Sequence, residues 1–188
     1  MPSPWYTRST PVREKRGAVR LSLSEVALFG VLGGMTFAAK LALAGLANIE
    51  PVSLMVMLFA VTFGRKAAYP IYVYVLLEFA AFGFQLWSIS YLYIWAVLAA
   101  AAWLLRGMTS PLGWAILSGI FGLLFGALCA PVYMITGGWA FGVGWWIRGI
   151  PFDAAHCVGN FAFALVLFVP LRRVLERLYR GIRKGGTG

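Results

Sequence analysis

Charged residues are scarce in this chain: aspartate, glutamate, lysine and arginine together form 12% of its 188 residues, whereas 61% are hydrophobic. A soluble globular domain is about 25% charged. This composition excludes an ordinary water-soluble domain. The apolar runs are long enough to cross a bilayer, and their length indicates helices rather than a barrel. We therefore predict an all-α integral membrane protein without a separate soluble domain.

Cysteine, histidine and nucleotide-binding motifs are also sparse. The two cysteines, Cys129 and Cys157, lie in predicted membrane helices, so we interpret them as small buried residues rather than a disulfide. A single histidine without a second histidine or cysteine at ligand spacing predicts no metal site. Because there is no Walker motif, the chain itself should not bind ATP in the P-loop manner. We expect neither a metal nor another cofactor.

The apolar runs and the polar breaks between them predict a bundle of six membrane-spanning helices. The second predicted helix is short, because its 12 residues cover about 18 Å of a hydrocarbon core about 30 Å thick. The connection before it is expected to dip into the protein and line a cavity. The predicted spans are 23–46, 52–63, 67–86, 91–105, 111–135 and 152–171.

The distribution of basic residues predicts the orientation of the bundle. All but two of the 16 lysines and arginines, Lys40 and Arg148, fall in the terminal segments or in the turns at 64–66 and 106–107. The positive-inside rule then puts both termini in the cytoplasm, and it accounts for the net charge of +10 better than nucleic-acid binding does. We assign 1–21 to a basic cytoplasmic tail, 22–180 to the six-helix membrane domain and 181–188 to a disordered tail.

The last predicted span carries a stripe of polar residues. Asp153, His156 and Asn160 recur at i, i+3 and i+7, so they point the same way on a helix. Such groups are expensive inside a membrane unless they are paired or bind something polar. Asp153 at a helix start, or hydrogen bonds between helices, would also account for them. We favour one wall of a pocket for a small polar solute.

The segment before this stripe, 137–150, is rich in glycine and tryptophan and is predicted to be a loop, either anchored at the interface or acting as a mobile lid.

Glu78 is the only acid within a long apolar run. Two roles are equally favoured for its side chain: a hydrogen bond to a neighbouring helix, and contact with the solute.

Aromatic residues complete the predicted pocket. Residues 87–91 are predicted to form a turn, and Tyr91 and Trp95 share a face of the helix that follows, although an interfacial aromatic belt also fits. Aromatic walls favour a flat heteroaromatic solute, and the acids favour donors or positive charge on it. The predicted solute-binding residues are Asn48, Glu50, Glu78, Tyr91, Trp95, Trp139, Trp145, Trp146, Asp153, His156 and Asn160.

Two ridges of small residues allow close helix packing. Gly30, Gly34 and Ala38 recur every four residues on the first span, and packing inside the bundle is slightly favoured there over docking on another membrane protein. A second ridge over 118–130 is predicted to pack inside the bundle.

Over about 23–178 the chain resembles the substrate-binding S-components of energy-coupling factor (ECF) vitamin transporters. The ridge on the first span contributes to the resemblance, as do the segment from Pro51 to Glu78 and its basic turn. The most specific features come from the last span. These features are Gly149-Ile150-Pro151-Phe152-Asp153, His156, Gly159-Asn160-Phe161 and Pro170-Leu171. The segment Tyr91-Leu92-Tyr93-Ile94-Trp95 of the fourth predicted span is a looser feature of the resemblance.

The resemblance implies a multi-pass protein of a prokaryotic plasma membrane that captures a water-soluble vitamin or precursor at the outer face and has no enzymatic activity. It implies partners as well: a transmembrane T-component that meets the ridge at Gly30, Gly34 and Ala38, and two cytoplasmic ATPases. It does not identify the solute. An intramembrane enzyme that uses Asp153 and His156 on a lipid-like substrate, or a stand-alone facilitator, remains an alternative.

Overall fold

The computed structural model describes residues 21–45 and 51–185, and all regular structure in these ranges is helical. The helices are α1 (Leu23–Ala42), α2 (Val52–Phe63), α3 (Ala68–Phe82), α4 (Leu86–Leu104), α5 (Pro111–Leu123), α6 (Phe125–Gly137) and α7 (Trp139–Gly185). A 3-10 turn, Gly64–Ala67, joins α2 to α3. Ser22 caps α1 in a reciprocal arrangement with Glu25, which explains where that helix begins.

Five helical stretches among the described residues are long and apolar enough to cross a membrane: Leu23–Ala42, Val52–Phe82, Leu86–Leu104, Pro111–Gly137 and Trp139–Lys184. The predicted all-α class is confirmed. The predicted second span corresponds to α2, which at 12 residues is too short to cross a membrane alone.

The α2–α3 stretch is folded back on itself. Gly64 has a φ of 58°, which glycine adopts more readily than other residues, and the chain reverses there. The end of α2 packs beside Phe29 of α1 through Phe63, with ring centroids 5.0 Å apart. From that level α3 runs parallel to α1, since Tyr69 stacks on Phe29 and Glu78 reaches Lys40.

The stretch formed by α5 and α6 lies antiparallel to α7, and small residues set the distance between them. A Cβ atom on Gly122 would lie 2.8 Å from the backbone of His156, and one on Gly126 would lie 2.5 Å from Asp153 Oδ2. Only glycine allows this approach. The prediction that the ridge over 118–130 packs inside the bundle is therefore confirmed.

The first ridge behaves differently. Gly30 and Ala38 are exposed, and a Cβ atom on Gly30 or Gly34 would meet nothing within 4 Å. The favoured prediction of internal packing is wrong for these residues. Gly33 faces α3 instead, where a Cβ atom would come within 2.8 Å of Pro70 O.

One end of the bundle gathers basic segments. Lys66 bonds to Glu25 at the start of α1, and Tyr179 of α7 donates to the same carboxylate. Gly64 also lies beside Trp103 near the end of α4. We call this the basic end, because the turns carrying Arg65 and Arg106 and the last turns of α7 all belong to it. The opposite end is called the far end.

Several predicted boundaries were wrong. Residues 139–150 form the first turns of α7 rather than a loop, because Trp145 stacks on Tyr133 and Gly142 packs against Met134, and this packing overrides the low helix propensity of glycine. Residues 87–91 belong to α4, not to a turn. Helix α7 also continues to Gly185, into the segment predicted to be disordered.

Candidate functional site

The polar stripe of α7 faces the interior of the bundle. Asp153, His156 and Asn160 are all buried. Asp153 Oδ1 accepts a hydrogen bond from the backbone N–H of Gly126 at 3.0 Å, which the missing side chain of that glycine makes possible. The ring of His156 lies 4.8 Å from that of Phe125. The three predicted pocket residues of α7 therefore share one buried face.

Deeper along the stripe, Asn160 joins three helices. Its Nδ2 donates to Ser53 Oγ of α2 at 3.0 Å and to the carbonyl of Ser118 on α5 at 3.4 Å. Because α2 is short and central, it brings the buried Ser53 hydroxyl into the bundle. Sequence reasoning missed Ser53, since a serine in an apolar helix is an unremarkable signal.

A second polar cluster lies between α1, α3 and α4. Lys40 Nζ is 2.9 Å from Glu78 Oε2, and the glutamate side chain is completely buried. The same ammonium donates to the Tyr91 hydroxyl at 3.3 Å. Of the two roles predicted for Glu78, the hydrogen bond to a neighbouring helix is observed. Lys40 was missed as a site residue, although a lysine inside an apolar span was a visible signal.

Aromatic rings connect the two clusters. The Tyr91 ring lies 5.2 Å from that of Trp95 and 6.3 Å from that of Phe125. Phe125 in turn contacts His156. Tyr91 and Trp95 are both buried, so they line the interior rather than an interfacial belt. Ring contacts through Phe125 therefore link Tyr91 and Trp95 to His156. The predicted residues that the fold buries are Glu78, Tyr91, Trp95, Asp153, His156 and Asn160.

Buried polar atoms remain unsatisfied in this region. Glu78 Oε1, Asp153 Oδ2 and Asn160 Oδ1 have no hydrogen-bond partner among the described residues, and neither does the indole nitrogen of Trp95. Burying a polar atom without a partner costs about 1–3 kcal/mol, and more for a charged group. These three acceptors and one donor are polar groups that the region could offer to a ligand.

The remaining predicted pocket residues are placed elsewhere or not described. Trp139 is exposed at the start of α7. Trp145 is half-buried against Tyr133, and its neighbour Trp146 is also half-buried. Asn48 and Glu50 lie outside the described residues. Solute binding by all of these residues stays a prediction.

Comparisons with protein-family models, with curated proteins and with solved structures find no match to this chain. The resemblance to S-components therefore rests on the sequence features given above. The chemistry of the site rests on the geometry of the buried clusters.

Proposed function

We propose that the chain is the solute-binding subunit of an ECF-type importer in a prokaryotic plasma membrane, which captures a vitamin or precursor at the outer face. One observation carries this proposal: α3, α4 and α7 bury side chains with unsatisfied polar atoms in one aromatic region. Atoms of Glu78, Trp95 and Asp153 are among them. A polar solute that exchanges hydrogen bonds with these groups would offset the cost of burying them.

The distribution of charge supports the orientation that this proposal needs. The basic end carries Arg65, Arg106 and the arginines of the last turns of α7, and the positive-inside rule directs it to the cytoplasm. The aromatic region lies toward the far end, since Lys40 is in the last turn of α1, whereas Glu25 at the basic end is in the first. In this orientation the site belongs to the outer half of the membrane, and a six-span arrangement has α2 as its short span.

The open ridge on α1 supports a transmembrane partner. A surface of glycine and alanine lets another helix approach closely, and Gly30, Gly34 and Ala38 have no helix of this chain packed over them among the described residues. The T-component of the importer is the partner we propose there, with two cytoplasmic ATPases supplying the energy.

The proposal is tested by identifying a bound solute. The full chain is purified in mild detergent, and small molecules released by denaturation are identified by mass spectrometry and then rebound. We expect one polar compound to co-purify. Asp153→Asn and Asn160→Ala should lower its affinity by at least tenfold, or about 1.4 kcal/mol. Glu176→Gln is the matched control, because Glu176 lies on the same helix but pairs with Arg172 near the basic end.

Transport assays in proteoliposomes distinguish the proposed binding subunit from a stand-alone facilitator and from an enzyme. In proteoliposomes the isolated chain should bind the compound without transporting it, and transport should require the partner subunits and ATP. Uptake by the chain alone would identify a facilitator. Chemical conversion of the compound, lost in Asp153→Asn, would identify an enzyme. Either outcome, or unchanged affinity in both pocket variants, contradicts the proposal.

A further inference from the structure

The ammonium of Lys40 is enclosed by aromatic rings as well as paired with Glu78. Four ring centroids lie within 6.0 Å of Nζ: those of Tyr74, Phe82, Trp87 and Tyr91. Rings around a cation, with a carboxylate at one side, are the arrangement by which proteins recognise ammonium groups of ligands. We call these four rings with Glu78 the ammonium cage.

A second lysine–glutamate pair in the same protein shows that ion pairing alone does not require such a cage. Lys66 Nζ lies 2.7 Å from Glu25 Oε1. The side chain of Lys66 is 17% exposed, and that of Lys40 is 19% exposed. Glu25 instead receives a hydrogen bond from the Tyr179 hydroxyl. No ring encloses Lys66 among the described residues. The ammonium cage is therefore a specific feature of the far end.

The geometry allows Lys40 to leave the cage. Lys40 is in the last turn of α1, which ends at Ala42, and its side chain is partly exposed on a flexible four-carbon stem. Glu78 is completely buried, so removing its only described cation would leave an uncompensated charge. A second cation arriving as Lys40 departs would avoid this cost. Glu78 Oε1 is a further acceptor for it.

We propose that the ammonium cage is a cation-binding subsite of the solute pocket, occupied by Lys40 in the empty protein, and that the solute carries a positively charged nitrogen which replaces it. This inference rests on the proposed function and adds the charge of the substrate to it. The exchange keeps the net charge of the cage constant. A neutral or anionic solute would gain nothing from displacing Lys40.

Removal of Lys40 should expose the subsite to added cations. Choline binding to the purified full chain is measured by equilibrium dialysis, with the uncharged isostere 3,3-dimethylbutan-1-ol as the comparison ligand. Lys40→Ala should bind choline about tenfold tighter than the wild type, with no matching gain for the alcohol. Lys40→Ala/Glu78→Gln should lose the gain. Equal choline affinity in Lys40→Ala and wild type, or no binding by either, overturns the proposal.

Lys66→Ala is the matched control, because it removes the ammonium from a lysine–glutamate pair of similar exposure that lacks the cage. It should not acquire choline binding. A gain equal to that of Lys40→Ala would mean that an unpaired glutamate suffices, and the cage would have no role.

A measurement on the wild type covers the case in which Lys40→Ala does not fold. Acetylation of Lys40 by an N-hydroxysuccinimide ester is followed by mass spectrometry, with Lys66 as internal reference. Choline should accelerate the reaction at Lys40 in proportion to its occupancy, and unchanged or slower acetylation overturns the exchange. A neutral or anionic co-purifying solute would defeat this inference alone, whereas transport by the isolated chain would defeat the proposed function alone.

Discussion

Glu78 illustrates how single residues tolerate burial in this bundle, because its charge is compensated by Lys40 at 2.9 Å. Removing one partner of a buried ion pair destabilises a protein by about 3–5 kcal/mol. We expect Lys40→Met and Glu78→Gln each to lower the free energy of unfolding in detergent by about 3 kcal/mol. The double variant should lose about 1–3 kcal/mol less than the sum, since the pair acts as a unit.

The pair of Arg172 and Glu176 provides the control for this cycle, because its two residues lie one turn apart on α7 and both keep partial exposure, whereas Glu78 has none. Glu176→Gln should change the free energy of unfolding by about 0.5 kcal/mol or less. Additive effects of Lys40→Met and Glu78→Gln, measured by the same denaturant titration, would show that the two charges are not coupled.

At this scale the sequence predicted which residues are unusual better than it predicted their partners. Glu78, Asp153 and Asn160 stand out because polar groups in apolar runs are expensive, and all three are buried. Lys40 is 38 residues from Glu78 in the chain, so no local period links them. Only the parallel packing of α1 on α3 brings the two charges together.

At the scale of elements, the contact between α5 and α7 depends on glycine. A methyl group on Gly122 would meet the backbone of His156, which cannot move aside without separating the helices. We expect Gly122→Ala to destabilise the protein by about 1–3 kcal/mol. Gly34→Ala should be neutral or stabilise α1 by up to about 1 kcal/mol, because its Cβ atom meets nothing. The two variants are compared by thermal unfolding in detergent. Equal changes in stability would contradict the close packing of α5 against α7.

The last turns of α7 are held at the basic end by the hydroxyl of Tyr179, which donates to Glu25 at 2.8 Å. A hydrogen bond to a charged group contributes about 1.5–3 kcal/mol. Tyr179→Phe should therefore speed amide hydrogen exchange over residues 176–185. Tyr72→Phe, which loses a bond to the neutral carbonyl of Leu92, is the control and should leave this segment unchanged. Equal exchange rates in both variants would mean that the hydrogen bond from Tyr179 to Glu25 does not stabilise the end of α7.

The helices themselves were predictable where apolar runs are uninterrupted, as in α1. The single helix predicted over 111–135 begins where it was predicted, but it is divided at Leu124 into α5 and α6. The start of α7 was not predictable, because glycines in 139–150 indicate a loop when only local propensity is considered. Stacking of Trp145 on Tyr133, with centroids 3.9 Å apart, is a tertiary contact that overrides this preference. The turn at Gly64 was predicted correctly in position, since glycine and two basic residues interrupt the apolar pattern there.

At the scale of the whole molecule, the basic end and the site lie toward opposite ends, so membrane orientation decides which side the site faces. After Cys129→Ala and Cys157→Ala, single cysteines are introduced at the exposed Thr109, near the basic end, and at the exposed Phe84, at the far end. In intact cells a membrane-impermeant maleimide should label Phe84→Cys, and it should label Thr109→Cys only after lysis, because the positive-inside rule predicts that Arg106 lies in the cytoplasm. The reverse pattern would turn the buried clusters toward the cytoplasm, where an importer cannot capture its solute.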